Sequence, residues 1–282
     1  LRKGKTSLTA EFVSAWRGLA GLGKDAFAPD PIAKRLVSAP VRALLERAEN
    51  SPRAARALNA FLDAASLGVW RHLPLRTRAI DDAIARAVGS GVRQIVLLGA
   101  GLDARAHRLQ SIAECTFYEI DHPSTQAIKM QHARNLPQIP RQIHYVAVDF
   151  EKDDVADALL KAGFDSTQRS VFVWEGVTMY LPKAAIETTL SMVARVTAPE
   201  SILLATYYDE AAEARTRFAR PFFSIIGEPL RSSFSKKAIR DFFSAHAFDV
   251  ESDEGDDDWG ERYAHRKPIF DMSERIVLAR RK

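Results

Sequence analysis

A single cysteine, Cys115, is all the thiol chemistry that 282 residues offer. A disulfide framework within the chain and a cysteine-rich zinc site are therefore excluded. None of the seven histidines stands in a His-x-x-x-His pairing with a carboxylate, so no metal site is expected. Long apolar runs are also missing. No stretch reaches the length of a membrane span, and the basic opening Arg2-Lys3-Gly4-Lys5 is not followed by the apolar core of a signal sequence. The expectation is a cytoplasmic protein with no membrane partner. An excess of one charge is scarce as well. The formal net charge is +4, and basic residues gather only in the opening segment and in Arg280-Arg281-Lys282. Basic and aromatic residues do not interleave as in a nucleic-acid motif, so no nucleic-acid partner is expected. Internal repeats are absent. What remains is globular. With 46% hydrophobic and 27% charged residues, the chain can bury a sizeable core, and its length suits one α/β domain with an added helical part.

Residues 1–90 read as helices, punctuated by Pro40, Pro52 and Pro74. The helical segments run over Leu8 to Leu19, Ala54 to Leu67 and Arg76 to Val88. Asp30 caps a further one, with Pro31 at its first position. This region is expected to form a cap, and Phe12 and Trp16 are candidates for a lid. From Gly89-Ser90-Gly91 onward, short apolar runs alternate with helical stretches. Strands are expected at Gln94–Leu98, Thr116–Ile120, Ile143–Val148, Ser170–Trp174 and Ser201–Tyr207, with helices at 104–112, 123–134, 152–162 and 183–197. Strands rich in Val, Ile and Leu between helices form parallel β-α-β units with helices on both faces. A last helix at 235–246 precedes strands near Phe248–Glu251 and Arg275–Ala279, separated by an acidic turn, Asp253 to Asp258. The expected fold is α/β: a doubly wound, mostly parallel seven-stranded sheet over 91–282, Rossmann-like, with a helical N-terminal cap.

Ligands of such sheets bind beyond the carboxyl ends of the strands, and these ends carry the chemistry. Leu98-Gly99-Ala100-Gly101-Leu102-Asp103-Ala104-Arg105 follows a strand and opens a helix. Gly99 and Gly101 permit a tight turn and close ligand approach, and a helix N-terminus beyond them would favour a carboxylate or a phosphate. With Ala104 the run also fits a dinucleotide fingerprint, so a nicotinamide oxidoreductase is an alternative. Asp103 speaks against it, because a carboxylate there repels a pyrophosphate and tolerates a sulfonium or an ammonium. Asp103 reads equally as a helix N-cap. Glu119 and Asp121 end the second strand about twenty residues on, where either can accept hydrogen bonds from ribose hydroxyls. Asp149 with Phe150 closes the third strand and suits an adenine ring. Glu175 closes the fourth. Tyr180, Tyr207 and Tyr208, just past strands four and five, are candidates for lining a substrate pocket.

These landmarks resemble the leucine carboxyl methyltransferase-like group of class I methyltransferases. The resemblance rests on Thr9-Ala10 with Arg17, Asp30-Pro31-x-Ala33, Arg76-Thr77-Arg78-x-x-Asp81-Asp82, Gly99-Ala100-Gly101-Leu102-Asp103-x-Arg105, Glu119-x-Asp121-x-Pro123 and Glu175-Gly176-Val177-x-Met179-Tyr180-Leu181. Gly227-Glu228-Pro229-Leu230 is similar to the bacterial members, among them polyketide O-methyltransferases. The resemblance implies S-adenosyl-L-methionine as cofactor. By position it implies that Arg78 pairs with the methionyl carboxylate and that Gly99 lines the same part. Asp121 would hold the ribose, Asp149 and Phe150 the adenine, and Glu175 the methionyl ammonium or a neighbouring group. The expected reaction is O-methylation of a carboxylate or phenolic hydroxyl on a small-molecule acceptor. Methylation of a protein C-terminal carboxyl is the first alternative, and a non-catalytic S-adenosyl-L-methionine-binding protein is another.

Overall fold

In the computed structural model, residues 13–18, 30–66, 71–150, 152–211, 230–264 and 272–282 are described here. Seven strands form one sheet in the order β3-β2-β1-β4-β5-β7-β6. They are β1 (Gln94–Leu98), β2 (Thr116–Asp121), β3 (Gln142–Ala147), β4 (Ser170–Trp174), β5 (Ile202–Tyr208), β6 (Phe248–Glu254) and β7 (Glu274–Arg281). β1 to β5 run parallel, and β7 pairs antiparallel with both β5 and β6. The chain winds outward from β1 through β2 to β3 and then returns to the other side of β1, so the switch point lies between β1 and β4. A crevice at that point is where such sheets hold ligands.

Period-2 alternation sorts the apolar residues into two cores. Val96, Leu98, Tyr118, Ile120, Phe172 and Trp174 face one side with the helices Val155–Lys161, Lys183–Val196 and Lys236–Ala245. Ile95, Leu97, Phe117, Val171 and Val173 face the other, beneath the helix His72–Gly89, called α4 below, and Trp259 of the helix Asp256–Ala264. Cys115 is buried in this second core. The last helix expected in the cap, α4, thus packs directly on the sheet. The earlier ones, Ala33–Leu36, Ala39–Glu49 and Pro52–Ser66, lie outside it. Among the described residues no helix is long and apolar enough to cross a membrane.

Two local expectations are corrected. The segment 104–112 is not one helix but a single α-turn, Arg105–Arg108, followed by a 3-10 turn at Gln110–Ile112. The acidic stretch Asp253 to Asp258 is not a turn. Asp253 belongs to β6, and Asp256, Asp257 and Asp258 form the first turn of the helix Asp256–Ala264. Carboxylates are favoured there because helix N-termini are electropositive, and the Asp258 side chain accepts the Gly255 N–H at 2.8 Å. The expectations on residues 8–12, Phe12 among them, and on Gly227-Glu228-Pro229 lie outside the described residues. Trp16 is half-buried in the helical stretch 13–18.

Candidate active site

The glycine loop folds over the end of β2. The N–H groups of Gly99 and Ala100 both donate to the Ile120 carbonyl, at 2.9 and 3.0 Å. Gly99 has φ +73° and Gly101 φ +49°, left-handed values that favour glycine. At Gly99 the missing side chain admits protein: a Cβ there would stand 2.8 Å from Cγ2 of Val177, in the loop after β4. The Gly101 N–H donates to Oδ2 of Asp121, and the other Asp121 oxygen accepts the His122 N–H at 2.6 Å. Burial raises the Asp121 carboxyl above its ordinary value, with these two N–H groups opposing the shift.

Glu119 shares the sheet face of Asp121, but it is fully buried and paired with Lys129 at 2.5 Å. Burial pushes its carboxyl up to about 7, against the pull of Lys129. Of the two acidic residues on this strand, Asp121 is the one that meets the loop.

Asp103 turns back on the helix it precedes. Its Oδ1 accepts the Arg105 N–H at 2.7 Å, and its Oδ2 meets the Arg105 guanidinium at 2.6 Å and Arg17 at 3.3 Å. Burial alone would raise its carboxyl, but Arg105 and Arg17 hold it well below the usual carboxylate range. The N–H at the start of the turn is therefore already satisfied, and the expected helix N-terminal anion site is not built.

The Asp103–Arg105 pair belongs to a buried ionic network across the strand ends. Glu175 bridges two arginines: its Oε2 lies 2.7 Å from Arg105, and its Oε1 accepts from Arg76 at 3.0 Å. Burial opposes its charge, yet Arg105 and Arg76 hold its carboxyl below the ordinary value. Asp81 accepts from Arg105 and from Arg108, each at 2.6 Å. Asp30 faces Arg108 at 3.2 Å and Arg17 at 4.0 Å. On the opposite flank Arg76 grips Glu274 through Nη1 at 2.6 and 2.8 Å. Glu274 in turn meets His72, whose other nitrogen meets Asp256. Among the described residues the network thus holds six carboxylates against four guanidiniums and one imidazole.

Arg76 was a motif landmark without a role, and of the two arginines it, not Arg78, reaches the strand ends. Two positions on a helix differ by about 200°, so the two side chains leave opposite faces. Arg76 is 5% exposed, whereas the Arg78 side chain is 45% exposed, pairs with Asp82 at 2.9 Å and lies 5.6 Å from the Tyr263 ring centre. The periodicity held the signal. Arg76 shares a stripe with Ile80, Ala83 and Ala87, all buried, and Arg78 shares one with Asp82 and Arg86. Sequence reasoning also missed His72, at the start of α4, and Glu274, which the β5–β7 pairing brings to this end of the sheet, opposite Tyr208.

The three tyrosines separate. Tyr207 faces the first core, and its hydroxyl donates to Asp253 at 2.9 Å. Tyr208 faces the other side, buried beside Glu274, and burial, then Glu274, pushes its phenol well above the ordinary value. Tyr180 is half-buried near Tyr208. Asp149 is half-buried with Lys152 at 2.5 Å, and Phe150 beside it is 41% exposed. Ala100 is buried in the loop.

The leucine carboxyl methyltransferase family profile matches residues 10–194, well over half the chain. The chain belongs to the leucine carboxyl methyltransferase family. A Streptomyces coelicolor relative, assigned by inference as an S-adenosyl-L-methionine-dependent methyltransferase, is 36% identical over 71% of this chain and 65% of its own length. A Mycobacterium tuberculosis relative with the same assignment is 38% identical over 68% of this chain. The chain spans 62% of that relative's length, so under two thirds of both. The family is one of S-adenosyl-L-methionine-dependent enzymes, and that molecule is the cofactor. The fold agrees. A DUF574-family protein of Streptomyces avermitilis superposes with a TM-score of 0.64 at 15% identity, over 99% of both chains. The magnesium protoporphyrin IX methyltransferase of Synechocystis, solved with S-adenosylhomocysteine bound, gives 0.51 at 12% identity, over 80% of this chain and 99% of its own. The residues suit the cofactor. The slight excess of carboxylates in the network complements its net positive charge, whereas a dinucleotide pyrophosphate would meet Asp103 and Glu175.

Proposed function

We propose that the chain transfers the methyl group of S-adenosyl-L-methionine to an oxygen of a small molecule, a carboxylate before a phenolic hydroxyl. The observation that carries this reading is the run of carboxylates at one end of the sheet, Asp121, Asp103, Glu175 and Glu274, around the glycine loop. The cofactor supplies a methyl group on a positively charged sulfur, open to in-line displacement. The protein's task is to bind, orient and exclude water. Arg76 meets the methionyl carboxylate, since a buried guanidinium fork matches it. Asp121 exchanges its bond to Gly101 for the ribose hydroxyls. Asp149 and the exposed Phe150 flank the adenine. Glu175 stands by the ammonium.

On the acceptor side, Tyr208 is held as a neutral phenol. It can donate a hydrogen bond to the acceptor but cannot serve as its base. That favours an acceptor that arrives ionised, since a carboxylate needs no base. The likeness of the Gly227-Glu228-Pro229-Leu230 motif to polyketide O-methyltransferases supports a small molecule. The test is to incubate the protein with S-adenosyl-L-methionine and a panel of carboxylic acids and phenols, following S-adenosylhomocysteine and the methylated product by mass spectrometry. A carboxylate acceptor keeps its rate to mildly acidic pH, and a phenol gains rate as pH rises toward its ionisation. Methylation only on nitrogen or carbon, or only on a folded protein, contradicts the reading.

A further inference from the structure

His72 is the first residue of α4, one turn before Arg76, and the proposed reaction leaves it without a task. It is 4% exposed, with the Trp259 ring 5.9 Å away. Nδ1 lies 2.7 Å from Oδ1 of Asp256, and Nε2 lies 2.7 Å from Oε2 of Glu274. A carboxylate offers only lone pairs, so each ring nitrogen must carry hydrogen for both contacts to be bonds. The ring is therefore an imidazolium. Burial on its own would lower its pKa, but the two carboxylates overturn that and raise it to about 9.

The consequence runs through Glu274. The same Oε2 that meets His72 also meets Nη1 of Arg76 at 2.6 Å, and Oε1 meets it at 2.8 Å. Glu274 is thus pinned between two cations and cannot rotate without losing one. Asp256 is fixed in its turn, because its second oxygen accepts the Met272 N–H at 2.9 Å. The chain Asp256–His72–Glu274–Arg76 leads from the second core to the guanidinium at the strand ends.

We propose that His72 is a positioning residue for the cofactor: by clamping Glu274 it fixes the Arg76 guanidinium where the methionyl carboxylate binds. This rests on the assignment of Arg76 above. The task needs a group that donates at both ends and carries charge. Glutamine in its place would turn its carbonyl oxygen on one of the two carboxylates.

The test compares two ligands by calorimetry at neutral pH in the wild type and His72→Gln. S-adenosylhomocysteine carries the methionyl carboxylate, and 5′-methylthioadenosine lacks it. The expected result is about a tenfold or greater loss of S-adenosylhomocysteine affinity, with 5′-methylthioadenosine affinity unchanged within about twofold. A general disturbance of the fold would weaken both. Where His72→Gln does not fold, Asp256→Asn removes the carboxylate on the far side of the ring and leaves the direct Glu274–Arg76 pair in place, and the same selective loss is expected. A second readout is pH. The charged and titratable groups around His72 are Asp256, Glu274, Arg76 and Tyr208, and of these and His72 itself, His72 is the one raised to about 9. The ligand's own ammonium loses its proton in the same range in both proteins, so wild-type affinity for S-adenosylhomocysteine should fall more steeply than the variant's as pH rises through about 9, and the ratio of the two affinities should shrink across that step. Equal affinities in wild type and variant, or equal loss of both ligands, overturn the role of His72 alone. Failure of the wild type to bind S-adenosylhomocysteine overturns the cofactor assignment beneath it.

Discussion

Arg76 and Arg78 stand two positions apart on one helix, and only Arg76 reaches the strand ends, where it joins Glu175 to Glu274. The guanidinium fork, not charge alone, is what a carboxylate recognises there. Arg76→Lys is expected to weaken S-adenosylhomocysteine binding by about 1–3 kcal/mol, the usual worth of a charge-assisted hydrogen bond. Arg78→Ala, which removes an exposed pair with Asp82, should leave that affinity unchanged. Titration calorimetry of the two variants decides. The reverse order of effects would restore Arg78 to the site.

Asp121 holds the glycine loop through the Gly101 N–H while burial works against its charge. Asp121→Ala removes both that contact and the proposed acceptor for the ribose hydroxyls. Affinity should fall by about 1–3 kcal/mol, with the sheet intact by circular dichroism. Unchanged affinity would take the ribose elsewhere.

Gly99 and Gly101 fail for different reasons when substituted. Gly99→Ala places a methyl against Val177 in a left-handed conformation that itself costs about 1–2 kcal/mol. The variant should melt lower, and adding Val177→Ala should restore part of the loss. Gly101→Val puts a branched residue at φ +49° beside Asp121, and lost cofactor binding is expected there. Thermal melts with and without S-adenosylhomocysteine separate the two effects. Full binding by Gly101→Val would mean that the loop is not the cradle.

How much of this was legible in the sequence differs by element. The strands could be read because β1, β4, β5 and β7 carry Val-, Ile- or Leu-rich runs and β2 and β3 shorter apolar ones, and the acidic strand ends because they sit at the close of such runs. The acidic stretch from Asp253 to Asp258 misled because clustered aspartates suit both a turn and a helix N-terminus, and nothing local separates these. Tyr207 and Tyr208 were inseparable until the sheet faces were fixed, since adjacent strand residues point opposite ways. Glu274 and His72 lie 202 positions apart. Their meeting depends on the antiparallel insertion of β7 beside β5, a long-range fact that no window of sequence contains. Arg76 is different: its burial is legible in the helical stripe it shares with Ile80, Ala83 and Ala87.

The buried imidazolium sets a pH limit on stability. The His72 pKa is raised from 6.5 to about 9 on folding. Its contribution is fully present below about 6.5 and is lost as pH rises through about 9; a shift of this size corresponds to about 3 kcal/mol. Glu274, lowered from 4.5 to about 2, works in the opposite direction, stabilising above its unfolded value and failing as pH falls through about 2. Urea titrations from pH 6 to pH 10 should show a progressive loss between about pH 6.5 and about pH 9, levelling off above, that His72→Gln does not share. A flat profile in the wild type would mean that His72 is not held as a cation.

The central claim is that the acidic strand ends bind a cationic nucleoside cofactor and not a dinucleotide. Calorimetric titration of the purified protein with S-adenosyl-L-methionine and, separately, with NAD tests it most directly. The account predicts saturable one-to-one binding of S-adenosyl-L-methionine, reduced in Asp121→Ala and Arg76→Lys, and no heat above dilution with NAD. Saturable binding of NAD, with none of S-adenosyl-L-methionine, would contradict it.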